Sequence, residues 1–444
     1  MWTGGKNILN PIPPIVLESG APSQQWFVCQ LGAREHYAVA AALHSANRLQ
    51  GLFTDAWVPP GSLWSYLGKH LSDRYCSQLA GVPVGRATAS LAACEIRGRL
   101  LGRHGWQGIL SRNRWFQQRA VRWLERQRAS DHPTLFSYSY AALRTLRWAK
   151  ARGWQTVLGQ IDGGIADEQL IERLHAQKGV RDGARTTAPA AYWDDWREEC
   201  ELADTIIVNS PWAFRLLSVA GVPEEKLRVV PLAYSSLNGS DSQTRRYPES
   251  FSDARPLKIL FLGQFTVRKG ALDLLEAAAL LQGYPVQFTV VGPLLTKVQV
   301  EYAKLQNVRF RGTVPRSETA KQYRDVDVFL FPSHSDGFGL TQLEAQAVKL
   351  PIIASRHCGD VVRDGINGVL LPKVSGEAIA AVIKRILDVP ELLTTWSANS
   401  YVDDRFRIDS VATQLGTLFC CERDCKSQNR SDVSKRLPNR GLGL

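Results

Sequence analysis

The chain has 444 residues, more than one hydrophobic core usually supports, and this length predicts two domains. Its 44% hydrophobic and 22% charged residues are typical of a folded protein, which excludes a chain that is disordered throughout, and no apolar run approaches the roughly 18 residues of a membrane span. The formal net charge of +12 predicts an anionic partner, which could be a nucleotide, a phospholipid surface or a nucleic acid.

The first residues, MWTGGKNILNPIPPIVLE, lack the basic segment and the uninterrupted apolar stretch of an export signal, so we expect a cytoplasmic protein. Beyond them, short apolar runs alternate with amphipathic runs from residue 20 to residue 234. The alternation includes QWFVCQLG, EHYAVAAALHSANRL and LFTDAWV, and later TLFSYSY, QTVLGQID and DTIIVNS. Such alternation is typical of βαβ units and predicts a first Rossmann-like domain over residues 20–234.

A basic segment lies within this first half, between Arg97 and Arg128. It holds nine arginines and one glutamate, a net charge of +8, and the interspersed aromatic residues are Trp106, Trp115, Phe116 and Trp123. A basic amphipathic helix can lie on an anionic lipid surface, which predicts a peripheral protein on the inner face of the membrane. The arginines expected at that surface are Arg112, Arg119, Arg122 and Arg126. The alternative is a solvated basic helix that packs its aromatic side inward, and nucleic acid is the least favoured partner.

Residues 235–255 are rich in serine and charge and poor in apolar side chains, which is typical of an interdomain linker. A regular alternation follows over residues 256–398, with KILFLG, VQFTVVG, VDVFLFPS and LPIIAS as its apolar runs. These runs are apolar throughout, as expected of parallel strands that helices cover on both faces. The pattern predicts a second Rossmann-like domain, a further helix over 399–420 and a disordered tail over 421–444.

The eight cysteines give no framework of disulfides or metal ligands, and we expect no metal. Most of them are scattered singly along the chain. A cluster occurs only near the carboxyl end, at Cys420, Cys421 and Cys425. No histidine lies nearby, so reduced thiols are favoured over a zinc site.

Ligands of open parallel sheets bind at the carboxyl ends of the strands, which directs attention to two loops of the second half. The first loop runs from Gly263 to Gly270 and places Arg268 and Lys269 at the start of a helix. Two cations beside free backbone N–H groups suit a diphosphate. The alternative is a solvated basic turn whose glycine provides backbone freedom.

The second loop, PSHSDGFGLTQLEA, carries Asp336 and, eight positions later, Glu344. Two glycines between them allow a ligand to approach the backbone closely. A carboxylate accepts two hydrogen bonds side by side, which suits neighbouring hydroxyls of a sugar ring or ribose. For Glu344 an alternative is a capping box that begins at Thr341 and stabilises the helix start.

The segment from Lys258 to Pro372 resembles the nucleotide-binding domain of the family 4 retaining glycosyltransferases. The resemblance is carried by GQFTVRKG, VRFRGTVP, VDVFLFPSHSDGFGLTQLEAQAVKLPIIAS and DGINGVLLP. It implies that Asp336, in place of the family's usual glutamate, contacts the donor sugar, and that Glu344 contacts the ribose hydroxyls. Lys269 matches the phosphate-binding lysine, and Arg268 substitutes for an arginine that this chain replaces with Gln264. The other expected donor-binding residues are Gly263, Gly337, Phe338, Gly339 and Leu340.

In the first half the resemblance is clear only over residues 198–234, which fit the close of the family's first domain. The loop after the first strand is where the family places contacts near the donor phosphates and the acceptor, and here it contains Gly32, Arg34 and His36. The family's histidine at the end of a later strand is absent, and one such strand ends at Asp162. His36 and Asp162 are therefore candidates for the reacting centre, with surface or structural roles as the alternatives.

The resemblance implies the GT-B architecture, in which two Rossmann-like domains with parallel sheets face each other across a cleft. It also implies transfer of a hexosyl residue, with retention of configuration, from a nucleotide-diphosphate sugar to a glycan or lipid-linked acceptor. Neither a metal nor another cofactor is expected. The alternatives are a nucleotide-sugar epimerase of the same fold and a non-catalytic module that binds a nucleotide-sugar or a membrane surface.

Overall fold

The computed structural model describes residues 24–62, 74–102, 104–129, 131, 133–183, 186–234, 244–297 and 302–419. The predicted tail, the cysteine cluster at its start and residues 235–243 of the predicted linker lie outside this part of the chain.

The first domain contains a sheet of seven parallel strands in the order β3-β2-β1-β4-β5-β6-β7. The strands are β1 (Trp26–Gln30), β2 (Leu49–Thr54), β3 (Val84–Arg86), β4 (Thr134–Tyr138), β5 (Gln155–Gln160), β6 (Thr205–Val208) and β7 (Leu227–Val229). The helices are α1 (Ala38–Ser45), α2 (Thr88–Leu100), α3 (Gly105–Leu124), α4 (Leu143–Lys150), α5 (Gly164–Lys178), α6 (Ala190–Leu202) and α7 (Pro211–Val219).

The strands of this sheet are apolar because helices cover both of its faces. Along β1, Phe27 and Cys29 join one hydrophobic cluster, whereas Trp26 and Val28 join the cluster on the opposite face. Successive side chains of a strand point to opposite faces, so a strand buried on both faces must be apolar at every position. The continuous apolar runs of the sequence follow from this arrangement.

The second domain contains six parallel strands in the order β10-β9-β8-β11-β12-β13. They are β8 (Leu257–Leu262), β9 (Val286–Val291), β10 (Val308–Gly312), β11 (Val328–Phe331), β12 (Ile352–Ala354) and β13 (Gly368–Leu370). The helices are α8 (Ala271–Leu280), α9 (Arg316–Arg324), α10 (Thr341–Ala347), α11 (Gly376–Asp388) and α12 (Glu391–Ala398). The predicted fold class, two Rossmann-like domains with parallel sheets, is confirmed.

The last described helix, α13 (Ile408–Gly416), follows the second domain in sequence but packs against the first. Val411 and Leu415 are buried in the same cluster as Trp26 and Ala41. The chain therefore crosses between the domains twice, which couples the position of one domain to that of the other.

The carboxyl ends of the two sheets face each other across the domain interface. The loop after β11 comes so close to the loop after β5 that a Cβ atom on Gly337 would lie 2.4 Å from the carbonyl oxygen of Ile161. Only a residue without a side chain fits this approach. The residues that follow these two strands therefore meet at the interface, as expected of the binding edge of parallel sheets.

Candidate functional site

A cavity of about 460 Å³ lies between the two domains. Its volume is within the range of sites that hold a small molecule or a cofactor. Its lining comes from both domains and consists of Arg34, Glu35, Ile161, Asn209, Leu232, Phe261, Leu262, Gly263, Gln264, Arg268, Lys269, Phe331, Ser333, Asp336, Phe338, Gly339, Leu340 and Thr341. The predicted cationic loop and the predicted carboxylate loop thus meet at one cavity.

The cationic loop is held in place by a short 3-10 helix, Val267–Lys269, which joins β8 to α8. The Thr266 hydroxyl oxygen accepts a hydrogen bond from the Lys269 backbone N–H at 3.3 Å and caps this turn. Gly270 adopts a left-handed backbone with φ 77°, where a Cβ atom would lie 2.2 Å from the Pro332 carbonyl oxygen. The sequence requirement for glycine here is therefore steric as well as conformational.

The two cations of this loop contact carboxylates. The Lys269 ammonium donates a hydrogen bond to the Asp336 carboxylate and lies 5.2 Å from the centre of the Phe331 ring. The Arg268 guanidinium lies 3.9 Å from the carboxylate of Asp167, a residue of the first domain. A diphosphate that binds here would exchange these carboxylates for its own oxygens.

Asp336 is held in its charged form. Burial works to raise the pKa of its carboxyl, but the positive charges of Lys269 and Arg268, with hydrogen bonds from Lys269 and the Phe338 backbone, lower the pKa below its ordinary value. The same side chain faces the cavity. A fixed negative charge beside a lysine can orient hydroxyl groups of a sugar while the lysine contacts phosphate.

The Gly-Phe-Gly segment after Asp336 serves the domain interface as well as the cavity. Phe338 is 3% exposed, and its ring packs 5.7 Å from that of Phe406 and against Leu232. Gly339 has φ 86°, and a Cβ atom there would lie 2.5 Å from the Phe331 ring. The cavity lining includes Phe338, Gly339 and Leu340, whereas Gly337 sits behind it at the contact with the first domain.

The capping-box interpretation of Glu344 is wrong. Helix α10 begins at Thr341, so Thr341 lies inside the first turn instead of before it, and no side chain caps this helix. The Glu344 carboxylate accepts a hydrogen bond from the Tyr323 hydroxyl at 2.8 Å. Burial raises the pKa of Glu344, although the Tyr323 hydrogen bond and the charge of Arg316 lower it. The carboxylate thus bonds to a tyrosine of helix α9 and does not cap its own helix.

Of the residues predicted in the loop after β1, only Arg34 lines the cavity, whereas Gly32 and His36 do not. Gly32 has φ 84° and its N–H donates to the Asp55 carboxylate at 2.9 Å, while Arg34 lines the cavity. His36 is exposed at the rim, with its Nδ1 3.3 Å from the Arg316 guanidinium of the second domain. His36 does not line the cavity, and its role near the reacting centre stays a prediction.

Asp162 lies at the domain interface, within a hydrogen-bond network of its own domain. Its Oδ1 accepts hydrogen bonds from the Tyr140 hydroxyl and, at 3.0 Å each, from the Gln160 amide and the Gly164 backbone N–H. These contacts support the structural alternative for this residue, and Asp162 is not part of the cavity lining. A contact with substrate stays a prediction.

Sequence reasoning missed Glu35. Its side chain lines the cavity, where Asp336 is the only other acidic residue among the described lining residues. Glu35, His36 and Tyr37 have φ of 51°, 52° and 65°, a run of left-handed residues that costs conformational energy and is often found at functional sites. Burial raises the pKa of Glu35 to about 7, against the lowering effects of the Tyr138 hydrogen bond and Arg34. In the sequence, Glu35 is indicated only by its place between the candidate residues Arg34 and His36.

The aromatic residues of the basic segment point inward, as the alternative interpretation proposed. Phe116 is 1% exposed in the first-domain core, and the indole of Trp123 lies against Gly51 and Gly85 of the sheet. These two rings are therefore not free to enter a lipid interface. The exposed side chains of helix α3 and its end include Arg112, Arg119, Arg122 and Arg126.

No helix in the described part of the chain is long and apolar enough to cross a bilayer. Within the same residues, no group of histidine, cysteine and acidic side chains is arranged to hold a metal ion.

The fold and the cavity define a two-domain protein of GT-B architecture. Solved structures with this fold include Anabaena Alr3699/HepE in complex with UDP-glucose, at 15% identity and a TM-score of 0.54, which covers 90% of this chain and 99% of that one. Sucrose-phosphate synthase from Thermosynechococcus elongatus is 19% identical with a TM-score of 0.57, and covers 91% of this chain and all of that one. These likenesses establish the fold.

Residues 243–403 match the family model of the glycosyl transferases group 1. Relatives include the capsular polysaccharide biosynthesis glycosyltransferase CapM of Staphylococcus aureus, 24% identical over 49% of this chain and 61% of that protein. The D-inositol 3-phosphate glycosyltransferase of Thermomonospora curvata is 35% identical over 52% of this chain and 62% of that protein. The chain therefore spans less than two thirds of these curated relatives.

Proposed function

We propose that this chain is a glycosyltransferase that moves a hexosyl residue from a nucleotide-diphosphate sugar to a glycan or lipid-linked acceptor, with retention of configuration. The observation that carries the proposal is the meeting of Arg268, Lys269 and Asp336 at one interdomain cavity. The match of residues 243–403 to the glycosyl transferases group 1 supports the glycosyl transfer in this proposal.

The donor would bind with its diphosphate at the cationic loop. Arg268 and Lys269 precede helix α8, whose N-terminal backbone groups add partial positive charge. The donor sugar would then lie toward Asp336, and the ribose toward Glu344. Charge-assisted hydrogen bonds to phosphate typically contribute about 1.5 to 3 kcal/mol each, enough for these two cations to anchor the donor.

In a retaining transfer without an enzyme nucleophile, the acceptor hydroxyl attacks the anomeric carbon on the face from which the phosphate leaves. The bond between the anomeric carbon and the phosphate oxygen breaks, the bond to the acceptor oxygen forms, and the departing phosphate oxygen takes the hydroxyl proton. Lys269 and Arg268 stabilise the negative charge that develops on this phosphate. This chemistry requires no side-chain base, and no divalent ion is needed where two cations meet the diphosphate.

The acceptor would enter from the first domain, past Gly32 and Arg34. We also propose that the protein works at the inner face of the membrane, bound through exposed arginines of helix α3 and its end. Each arginine near an anionic surface contributes about 1 kcal/mol. The inward packing of Phe116 and Trp123 makes this attachment electrostatic.

One alternative has its own supporting observation, a non-catalytic module that binds a nucleotide-sugar. Gln264 lines the cavity where the resemblance implies an arginine, Asp336 stands where the family usually has a glutamate, and the family's histidine is absent. Such a module would bind the donor and leave it intact with every acceptor offered.

The proposal is tested by titrating UDP and UDP-glucose into the protein by calorimetry, since a protein of this fold has been captured with that donor. We expect Lys269→Ala to weaken both ligands by roughly tenfold or more, because it removes a contact to phosphate. Lys321→Ala is the matched control, because Lys321 also pairs with an aspartate in the second domain but lies on the exposed surface. Equal affinities for the nucleoside diphosphate in both folded variants would remove Lys269 from the site.

A further inference from the structure

A second cavity of about 460 Å³ lies in the first domain, between helix α3 and the carboxyl edge of β2 and β3. We call it the arginine groove. Its polar lining includes four arginines, Arg86, Arg119, Arg122 and Arg126. None of its lining residues belongs to the interdomain cavity.

The charge of this groove is uncompensated within the described part of the chain. All four arginines are exposed, no acidic side chain among the described residues lines the groove, and no ion pair joins any of the four to a described carboxylate. Glu125 is adjacent in sequence but lies outside the lining. Four like charges around one groove repel each other, and a bound anion would relieve that repulsion.

The floor of the groove is rigid. It is formed by Phe53, Trp57 and Trp123. The Trp123 indole lies against the sheet where Gly51 and Gly85 have no side chains, and a Cβ atom on Gly85 would be 2.4 Å from its Nε1. Phe53 and Trp123 pack with ring centres 5.7 Å apart. A fixed floor limits the entropy lost when a ligand binds.

From the convergence of these arginines we infer that the groove binds a phosphate-bearing group with the charge and size of a diphosphate. The guanidinium group presents several N–H donors in a plane and matches phosphate oxygens in pairs. The groove volume accommodates such a group with its attached carbon atoms. The phosphate could belong to a lipid headgroup or to a soluble diphosphate compound. This inference rests on the part of the proposed function that attaches the protein to the membrane, because it uses the same arginines of helix α3 and its end, but it does not depend on the donor cavity, which is a separate site.

The test is calorimetric titration of inorganic pyrophosphate into the full chain and three variants. Arg119→Gln/Arg122→Gln removes two groove charges, and Arg114→Gln/Arg128→Gln removes two exposed charges from the same segment outside the groove. Lys269→Ala reports on the donor cavity. We expect the groove variant, and not its matched control, to lose the groove binding event, with affinity reduced by about tenfold or more, whereas Lys269→Ala weakens only the event in the donor cavity. Circular dichroism confirms that each variant folds.

Equal losses in the groove variant and its matched control would show general charge attraction and overturn the inference. Loss in Lys269→Ala alone would also overturn it and leave the proposed donor site intact. Sedimentation with phosphatidylglycerol and phosphatidylcholine vesicles distinguishes the sources of the phosphate. Binding to the anionic vesicles that pyrophosphate displaces identifies a lipid headgroup, whereas pyrophosphate binding without vesicle binding identifies a soluble diphosphate.

Discussion

Replacing Glu35 with glutamine should stabilise the folded protein at alkaline pH. Burial raises the pKa of this carboxyl from 4.5 to about 7, so the folded chain holds a proton that the unfolded chain releases. The free energy of unfolding therefore falls as the pH rises from about 4.5 to about 7, because loss of the Glu35 proton costs more in the folded state than in the unfolded state. Glutamine keeps the shape and the oxygen that accepts from Tyr138, and it has no charge to desolvate.

The size of the expected stabilisation follows from the difference between the two pKa values, 4.5 and about 7. At about 1.4 kcal/mol for each pKa unit, the charged Glu35 destabilises the folded chain by up to about 3 kcal/mol at pH 8, and by only about 1 kcal/mol at pH 5. Glu35→Gln should therefore raise the free energy of unfolding by about 2 kcal/mol more at pH 8 than at pH 5.

Urea denaturation at the two pH values measures this difference. Tryptophan fluorescence reports mainly on the first domain, because Trp26 and Trp196 are buried in its core and, of the 13 tryptophans, only Trp396 belongs to the second domain. Glu377→Gln, which alters an exposed glutamate of the second domain, is the control and should change stability little at either pH. An equal effect of Glu35→Gln at pH 5 and pH 8 would refute the burial argument. Turnover by the stabilised variant then shows whether the carboxylate also contributes to transfer.

Three further outcomes are expected. Asp336→Asn should tighten binding of free nucleoside diphosphate by roughly tenfold, because Lys269 no longer pairs with a charged carboxylate before the ligand arrives. The same variant should lose sugar transfer. Weaker binding of the diphosphate, measured by calorimetry, would contradict this prediction. Glu344→Gln should change stability little, because the amide oxygen can still accept from Tyr323, but should lower donor affinity by about tenfold if the carboxylate contacts ribose; an unchanged affinity would assign Glu344 to the Tyr323 contact alone. Turnover should persist in the presence of a chelator, and a loss of activity restored by a divalent ion would show that the diphosphate needs a metal.

The fold was predictable because both sheets are covered on both faces. Residues such as Phe27 and Val28 had to be apolar whichever face they met, which makes continuous apolar runs a strong signal of parallel strands. The cationic and carboxylate loops followed from their places after β8 and β11. Their common cavity therefore follows from general sheet geometry together with motif resemblance.

Local sequence patterns predicted the wrong contacts in two places, the start of helix α10 and the aromatic side of helix α3. The capping-box pattern at Thr341 fails because helix α10 already begins at Thr341, and Leu340 stands at the N-cap position. The periodicity of the basic segment is that of a membrane-facing helix. In the structure, Trp123 instead packs against the sheet, where Gly51 and Gly85 leave room for its indole. Neither contact is visible from sequence spacing.

Glu35 was missed for a similar reason. Its position at the cavity depends on three consecutive left-handed residues, a conformation that no local propensity favours in residues 35–37. The tertiary contacts that hold this turn, such as the bond from the Tyr138 hydroxyl, come from another strand.

We propose above that sugar transfer with retention takes place in the interdomain cavity. The most direct measurement is proton NMR of the reaction of nucleotide-sugars with glycan and lipid-linked acceptors. We expect the protein to release nucleoside diphosphate and to form a glycoside with the anomeric configuration of the donor, and we expect Asp336→Asn to abolish this product. Inverted product, or an intact donor that binds without transfer to any acceptor, would contradict it.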